Sequence, residues 1–320
     1  MPISKDYIIK AREEIEKIHS ENQLLEVRRH AEILQKIPRF INLEIKLAET
    51  TSSVVSLIAA NSPNVKEKIK AASEENLAVQ REMERLLTEN GYDKNYLDQI
   101  YTCTKCGDTG TVNGEWCECL KKRANKLAAD ELNKRSPLKP CTFESFNLSL
   151  YPEHSKNNDN PREEMNKIFR ICVDFADNFK GNEKGLLMIG GTGLGKTHLS
   201  LAIAARVIEK EFCVVYNSVP ELLRTIDNEQ FGRSTGDTLS VISACDLLIL
   251  DDLGAENTNE RTSSLLYEII NGRICRALPL IVSTNLSPAE LQNKYNDRIL
   301  SRLFSMNILG FKGDDNRFKL

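Results

Sequence analysis

The 320-residue sequence lacks any apolar run that approaches the roughly 18 residues needed to cross a membrane. It also lacks an excess of positive charge, since the formal net charge is −3, so any contact with nucleic acid must be local. Aromatic residues are sparse, and Trp116 is the only tryptophan. No signal-peptide pattern and no internal repeat are present. We expect a cytoplasmic, globular protein with two or three domains.

Histidine is also scarce, and none lies between residues 31 and 153. That stretch instead holds two close thiol pairs, Cys103-x-x-Cys106 and Cys117-x-Cys119, separated by ten residues that include several glycines. Four thiolates at this spacing favour a tetrahedral Zn²⁺ site. An iron–sulfur cluster is an open alternative, whereas disulfides are disfavoured because nothing indicates an oxidising compartment.

The role of this cysteine module has two interpretations. It is either a structural staple, because so short a segment buries little apolar surface, or a contact surface for a partner protein or DNA. Trp116 either stacks on a base or packs over the metal. Downstream, a basic stretch either follows a phosphate backbone or forms a solvated linker helix. Its basic residues are Lys121, Lys122, Arg123, Lys126, Lys134, Arg135 and Lys139.

A glycine-rich segment follows the apolar run of residues 185–189. Residues 190–197 are G-G-T-G-L-G-K-T, which fits the phosphate-binding pattern G-x-x-x-x-G-K-[ST] between a strand and a helix predicted over residues 198–209. Lys196 would reach the β- and γ-phosphates, and Thr197 would ligate Mg²⁺. The segment therefore predicts ATP or ADP binding. The candidate residues are Gly190, Gly191, Thr192, Gly193, Leu194, Gly195, Lys196, Thr197 and His198.

Two further apolar runs each end in polar residues. Asp251 and Asp252 follow residues 247–250, and Thr284 and Asn285 follow residues 278–283. Such aliphatic runs predict strands buried in a parallel sheet, whose carboxyl ends form the ligand crevice. Asp251 would hold Mg²⁺ and Asp252 would polarise the attacking water. Asn285 would orient that water or sense the γ-phosphate.

A basic helix completes the set of motifs. Arg298 and Arg302 lie four residues apart in D-R-I-L-S-R-L, so they share a helix face. One of them is a candidate arginine finger, which stabilises phosphoryl-transfer charge from a neighbouring subunit. A solvated basic face is the other interpretation.

Together, G-G-T-G-L-G-K-T, L-L-I-L-D-D-L-G-A-E, I-V-S-T-N-L and D-R-I-L-S-R-L resemble the motifs of an AAA+ ATPase. Within that group the chain is similar to the DnaC/DnaI family of bacterial replicative-helicase loaders, whose ATPase core is IstB-like. The likeness covers roughly residues 101–320 and includes residues 141–146 and 266–279.

The resemblance implies an α/β fold, with a five-stranded parallel sheet flanked by helices and a site completed between subunits. It implies ATP with Mg²⁺, and it assigns the magnesium ligand to Asp251, the first sensor to Asn285 and the finger to Arg302, with Arg298 in reserve. It also implies three partners: a hexameric replicative helicase, single-stranded DNA, and further copies of the chain assembled on ATP.

The sequence departs from the AAA+ pattern in two places. Most members carry Glu where this chain has Asp252, which is one methylene shorter and suggests slow hydrolysis. Only 18 residues follow Arg302, too few for a helical lid of about 30 residues. Little or no lid is therefore expected, and Arg317 is a candidate second sensor.

The first hundred residues carry apolar positions at helical period and no catalytic constellation. Residues 62–64 break the pattern, and Asn90-Gly91 ends it. We expect a helical helicase-interaction domain over residues 1–100, a zinc module with a basic helix over 101–140, and the AAA+ domain over 141–320.

Three functions are compatible with this organisation. The first is an ATP-dependent loader of a DnaB-type replicative helicase. The second is an IstB-type transposition helper, which the cysteine module disfavours. The third is an ATP-switched binding module with negligible hydrolysis, suggested by Asp252.

Contact with single-stranded DNA is expected between the phosphate-binding loop and the acidic strand. An aromatic beside an arginine supports stacking and phosphate contact, although the same residues also fit a plain surface. The candidates are Arg224, Phe231, Arg233, Ser234 and Thr235.

Overall fold

A computed structural model describes residues 5–59, 65–134, 141–154, 160–313 and 315. The predicted break at residues 62–64, the end of the basic stretch beyond Lys134, and Arg317 lie outside the described residues. The chain divides into two compact units, one of Arg12–Cys117 and one of residues 5–11 with those from 118 onward.

The unit of residues 12–117 is mainly helical, as its apolar periodicity predicts. It contains most of α1 (Lys5–Lys36), α2 (Arg39–Ala59), α3 (Val65–Glu89) and a hairpin of β1 (Thr111–Val112) and β2 (Glu115–Trp116). α3 ends just before Asn90-Gly91, as expected. The buried apolar core of this unit comprises Ile33, Ile37, Phe40, Leu86 and Leu87.

The second unit alternates helices and strands. Its strands are β3 (Leu186–Ile189), β4 (Val214–Ser218), β5 (Leu247–Leu253), β6 (Leu280–Thr284) and β7 (Asn307–Gly310). Its helices are α4 (Glu118–Lys134), α5 (Pro161–Asp177), α6 (Lys196–Glu209), α7 (Val219–Gln230), α8 (Thr238–Ala244), α9 (Glu260–Cys275), α10 (Pro288–Lys294) and α11 (Asp297–Phe304).

The five strands form one sheet in the order β4-β5-β6-β3-β7, and every pairing is parallel. All four residues of β3 are buried, as are all five of β6, because helices cover both faces of the sheet. The order places the carboxyl ends of β5, β6 and β3 side by side. This α/β sheet flanked by helices, together with the mainly helical unit of residues 12–117, confirms the predicted fold class.

Helix α4 packs against β4 and α8 within the second unit and is not a solvated linker. Its buried residues include Leu120, Ala124 and Ala128, at the spacing of one helix face. Asn133 donates from Nδ2 to the Val214 carbonyl at 2.8 Å and accepts at Oδ1 from the Tyr216 amide at 3.0 Å. This side chain therefore hydrogen-bonds to the backbone of edge strand β4.

Two of the basic residues on α4 form short ion pairs with acids of the same helix. Lys121 lies 2.9 Å from Glu118, and Lys134 lies 3.2 Å from Glu131. These i,i+3 pairs stabilise the helix modestly and place an acid beside each of the two lysines.

No helix follows β7 within the described residues, which there comprise 311–313 and 315. None of the helices in the described parts of the chain is long and apolar enough to span a membrane.

Candidate nucleotide site and metal centre

The phosphate-binding loop joins β3 to α6, which begins at Lys196. Gly195 has φ +86°, a left-handed conformation that favours glycine, and a Cβ there would lie 2.7 Å from Phe146 Cε2. The buried Lys196 ammonium donates to the Gly190 and Gly191 carbonyls at 2.7 and 2.6 Å and to Asn285 Oδ1 at 2.7 Å. The cationic head is thus held at the loop, beside the end of β6.

Asp251 lies near the carboxyl end of β5, two residues before Leu253, and the residue is 3% exposed. Its Oδ2 accepts hydrogen bonds from Thr197 Oγ1 at 2.8 Å and from the Tyr216 hydroxyl at 2.6 Å, and its Oδ1 accepts from Ser283 Oγ. Burial, followed by the negative charge of Asp251, raises the pKa of Tyr216, so that hydroxyl stays protonated and donates. Asp251 and Thr197 supply the hard oxygen ligands that suit Mg²⁺.

Asp252 has a special backbone position. The pairing of β5 with β6 shifts register between Leu250 and Leu253, and Asp252 has φ +56° in this irregularity. Such bulges re-aim side chains next to active sites. Asn285 Nδ2 donates to Asp252 Oδ1 at 3.2 Å, so these two predicted residues are brought together in the pocket.

A cavity of about 400 Å³ opens beside the loop. It is lined by Gly193–His198 with Asp252 and Asn285, and by Ser145, Phe146, Asn147, Leu150 and Tyr151. Phe146 stacks against Tyr151 at 6.0 Å between ring centroids. Tyr151 donates to the Leu194 carbonyl at 2.9 Å, and His198 Nε2 donates to the Thr142 carbonyl at 3.0 Å. These bonds fasten an aromatic wall, suited to a nucleotide base, onto the phosphate-binding loop.

The remaining loop residues also lie at this pocket or beside it. Thr192 Oγ1 lies 3.4 Å from Asp315 Oδ2. Gly190 packs so closely against the Phe311 backbone that a Cβ would clash with the Phe311 carbonyl oxygen. Position 190 therefore has no room for a side chain, and glycine allows the two backbones to approach this closely.

Arg298 and Arg302 both lie on α11 and differ in their surroundings. Arg302 is half-buried, and its Nε donates to Asn271 Oδ1 of α9 at 2.8 Å. Arg298 is exposed, and no hydrogen bond or ion pair joins it to the described residues. The structure does not bring either arginine to the nucleotide pocket of the same chain.

The candidate DNA contacts gather at the end of α7. Phe231 is 58% exposed, and two guanidinium groups lie over its ring: Arg233 at 5.4 Å and Arg261 of α9 at 4.5 Å. Arg224 is exposed and bonds to Glu221 at 2.5 Å, while Ser234 and Thr235 lie exposed in the loop that follows. An exposed ring with two cations can stack a base and contact phosphates.

The four cysteines of the predicted metal site lie close together. The sulfur atoms of Cys103, Cys106, Cys117 and Cys119 all lie within 4.8 Å of one another, and those of Cys103 and Cys117 are 3.9 Å apart. Tetrahedral Zn–S bonds of about 2.3 Å place sulfurs about 3.8 Å apart, so the cluster fits Zn²⁺.

An acidic residue holds the backbone beside this cluster. Asp108 accepts from the Thr102 and Cys103 amides at 2.8 and 2.7 Å and from Asn22 of α1 at 2.9 Å. Burial opposes ionisation, but these donors outweigh it and lower the pKa of Asp108. The carboxylate thus fixes the turn that carries the first cysteine pair and attaches it to α1.

Several functional candidates could not be found from sequence motifs. Tyr216 and Ser283 lie within apolar strands, where nothing distinguishes them from packing residues. Arg261 lies in the first turn of α9, 30 residues after Phe231, so only tertiary structure brings the two together. Phe146 and Tyr151 flank a short 3₁₀ turn at Leu148–Leu150, and their aromatic character near the predicted domain entry was the one sequence signal.

Comparison with known proteins agrees with this geometry. The profile of the IstB-like ATP-binding protein family matches residues 163–317. The replicative helicase loader DnaI of Bacillus subtilis is 28% identical over 221 residues, which span 62% of this chain and 69% of DnaI. The loader DnaC of Escherichia coli is 22% identical over 190 residues, 58% of this chain and 73% of DnaC. A putative ATP-binding protein of insertion sequence IS21 from Pseudomonas aeruginosa is 24% identical, over 56% of this chain and 64% of that protein.

Solved structures include similar proteins. The DnaC helicase loader has a TM-score of 0.48 at 23% identity, over 55% of this chain and 99% of that one. DnaI has a TM-score of 0.46 at 25% identity, over 57% and 93%. Residues 163–317 therefore match the IstB-like ATP-binding protein family, and they contain a parallel α/β sheet with a phosphate-binding loop motif.

Proposed function

We propose that this protein is an ATP-dependent loader of a hexameric, DnaB-type replicative helicase. The observation that carries the proposal is the combination of an ATP-binding domain with a preceding helical and cysteine-rich region, in a chain similar to the loaders DnaI and DnaC. The predicted domain boundaries, 1–100, 101–140 and 141–320, are part of this proposal.

ATP binds at the loop of residues 190–197 in this proposal. Backbone N–H groups and the start of α6 face the phosphates, and Lys196 exchanges its carbonyl partners for phosphate oxygens. The base lies against Phe146. Asp251 and Thr197 hold Mg²⁺, which when bound offsets the negative charge of the phosphates.

Hydrolysis is assigned to Asp252 and Asn285. The hydrogen bond that Asn285 donates to Asp252 orients this carboxylate, which would accept a proton from water. Because Asp252 is one methylene shorter than Glu, its reach to that water is shorter and turnover is expected to be slow. ATP then acts as a timed switch rather than as fuel for rapid cycling.

The arginine finger is assigned to α11, so that ATP promotes self-assembly of the chain. The family resemblance selects Arg302, whereas exposure favours Arg298, because Arg302 is held by Asn271 of its own chain. A finger must extend into a neighbouring subunit's site. Separate Arg298→Ala and Arg302→Ala variants decide between them, since loss of the finger lowers turnover in the assembly without lowering the nucleotide affinity of single chains.

Binding of single-stranded DNA is assigned to Phe231 together with Arg233 and Arg261. This group supplies one stacking face and two cations. Binding of the helicase is assigned to the zinc module and the N-terminal helices. Zn²⁺ keeps the zinc module folded.

The test is mass analysis of the purified protein mixed with its cognate replicative helicase, with ATP, with ADP and without nucleotide. We expect a complex of a helicase hexamer with several copies of this chain, strengthened by ATP. The Lys196→Ala variant should lose the ATP effect. Absence of a complex under every condition would contradict the loader proposal.

A transposition helper is the second candidate. It is favoured by the family profile and by the similarity to the IS21 protein. In that case no helicase complex forms, and activity on DNA depends on a transposase. A third outcome, helicase loading that persists in Asp252→Asn, would identify an ATP-switched binding module in which hydrolysis is dispensable.

A further inference from the structure

The buried Asp251 carboxylate is surrounded by hydroxyl groups from three separate strands and helices. Thr197 opens α6, Tyr216 lies in β4 and Ser283 lies in β6, and each donates a hydrogen bond to this carboxylate. A carboxylate offers about four lone-pair sites, so about one remains for a further ligand. The three hydroxyls therefore determine how the acid faces the crevice.

The phosphate-binding motifs do not explain why a tyrosine at position 216 donates to Asp251. In the parallel pairing of β4 with β5, Tyr216 lies opposite Ile249, and Asp251 lies two residues further along the same face. The tyrosine side chain is long enough to span this diagonal. Its ring is packed in the apolar cluster on that face and only 7% of the residue is exposed, so the hydroxyl has little freedom to turn elsewhere.

Thr197 alone does not hold the acid in place. Thr197 is exposed at the crevice, and once Mg²⁺ is bound its oxygen has two tasks, to ligate the ion and to donate its proton to Asp251. The Tyr216 bond, at 2.6 Å, is made on the same Oδ2 atom but from the buried side. It fixes that oxygen independently of the metal.

We propose that Tyr216 is a positioning residue that holds the Asp251 carboxylate in the orientation required by the magnesium ion of the nucleotide. The inference rests on the proposed magnesium role of Asp251 and names a residue that sets its metal affinity. Ser283 acts in the same way on Oδ1. Hydrogen-bonded partners of metal ligands typically change metal affinity by about 10- to 100-fold when removed.

The test compares Tyr216→Phe with the wild-type chain in two titrations. The first measures binding of a fluorescent ADP analogue in EDTA, and the second measures Mn²⁺ binding to the ADP-bound protein by electron paramagnetic resonance. We expect the metal-free ADP affinity to stay within about twofold. We expect the Mn²⁺ affinity to fall about tenfold or more.

Controls separate this role from a general packing role. Tyr267→Phe removes a hydroxyl from a partly buried tyrosine on α9 and should change neither titration. Ser283→Ala removes a different donor and should lower Mn²⁺ affinity as Tyr216→Phe does. The melting temperature of each variant establishes that it is folded.

The possible failures are distinguishable. If Asp251→Ala leaves Mn²⁺ binding intact, the magnesium role of Asp251 is wrong, and the inference about Tyr216 is overturned with it. If Asp251→Ala abolishes Mn²⁺ binding while Tyr216→Phe binds Mn²⁺ like the wild type, the positioning role of Tyr216 alone is overturned.

Discussion

The Lys196 ammonium lies 2.7 Å from Asn285 Oδ1, although the two residues are 89 positions apart in the chain. The contact exists because β3, which leads into the loop, pairs directly with β6, which ends at Thr284. Asn285 also bonds to Asp252. A single amide therefore connects the phosphate-binding lysine to the proposed catalytic acid.

Replacing Lys196 with Ala should abolish or strongly weaken ATP and ADP binding, by about tenfold or more, because the loop loses its one cationic head directed at the phosphates. Equilibrium titration with a fluorescent nucleotide measures this. Lys122→Ala, an exposed lysine on α4, is the matched control and should bind like the wild type. Unchanged affinity in Lys196→Ala would place the nucleotide elsewhere.

Replacing Asp252 with Asn should lower the ATPase kcat by about 10²-fold or more while leaving the nucleotide Kd within a few-fold, because it removes a proton acceptor without removing a phosphate contact. Steady-state phosphate release and nucleotide titration measure the two quantities. An equal kcat in the variant would exclude Asp252 as the base.

Replacing Gly195 with Ala should weaken nucleotide binding, because the new Cβ meets Phe146 and the backbone keeps φ +86°. Gly91→Ala is a matched control, since Gly91 has φ +82° and no atom within 4 Å of its Cβ position. Both variants lose about 1–2 kcal/mol of stability from backbone strain. Only Gly195→Ala should also lose nucleotide affinity, and equal affinity losses in both would attribute the effect to strain alone.

Replacing Phe231 with Ala should weaken binding of single-stranded DNA by about 1–3 kcal/mol, the contribution typical of one stacked base. Fluorescence anisotropy with a labelled oligonucleotide measures it, at fixed salt. Ile308→Ala removes an apolar residue of similar exposure, 51% against 58%, from β7 and should have no effect on DNA binding. Trp116→Ala tests the other aromatic candidate. A loss of DNA affinity in Trp116→Ala but not in Phe231→Ala would assign the DNA contact to the cysteine module.

Removing the metal should unfold the cysteine module, because so small a segment lacks an apolar core of its own. Metal analysis should find one Zn²⁺ per chain, and Cys117→Ser should lose it. Cys275→Ser, an exposed thiol on α9, should retain it. Iron instead of zinc in the purified protein would favour the iron–sulfur alternative.

The sequence predicted those parts of the site that local patterns specify. The loop of residues 190–197 requires glycines and a lysine at fixed spacing, and Asp251 and Asn285 each end an apolar run, so all were recognisable. Tyr216 and Arg261 were not, because their roles depend on which strands and helices are adjacent. Whether Arg298 or Arg302 is exposed likewise depends on the packing of α11 against α9.

The fold class followed from alternating apolar runs and helical segments, but the extent of the elements did not. β5 continues through Asp251 and Asp252 to Leu253, because pairing with β6 resumes after the register shift. Helix α4 was ambiguous in sequence because its alanines have little hydrophobic signal, yet they are small enough to let the helix approach the sheet closely.

The side-chain amide of Asn133 occupies the position that a neighbouring strand would take beside β4. This amide donates one hydrogen bond to β4 and accepts another from it, as a peptide group does in a ladder. Further strands are thereby prevented from adding at this point, which removes one route to edge-to-edge aggregation. When copies of the chain associate, their sheets therefore should not merge through this part of β4.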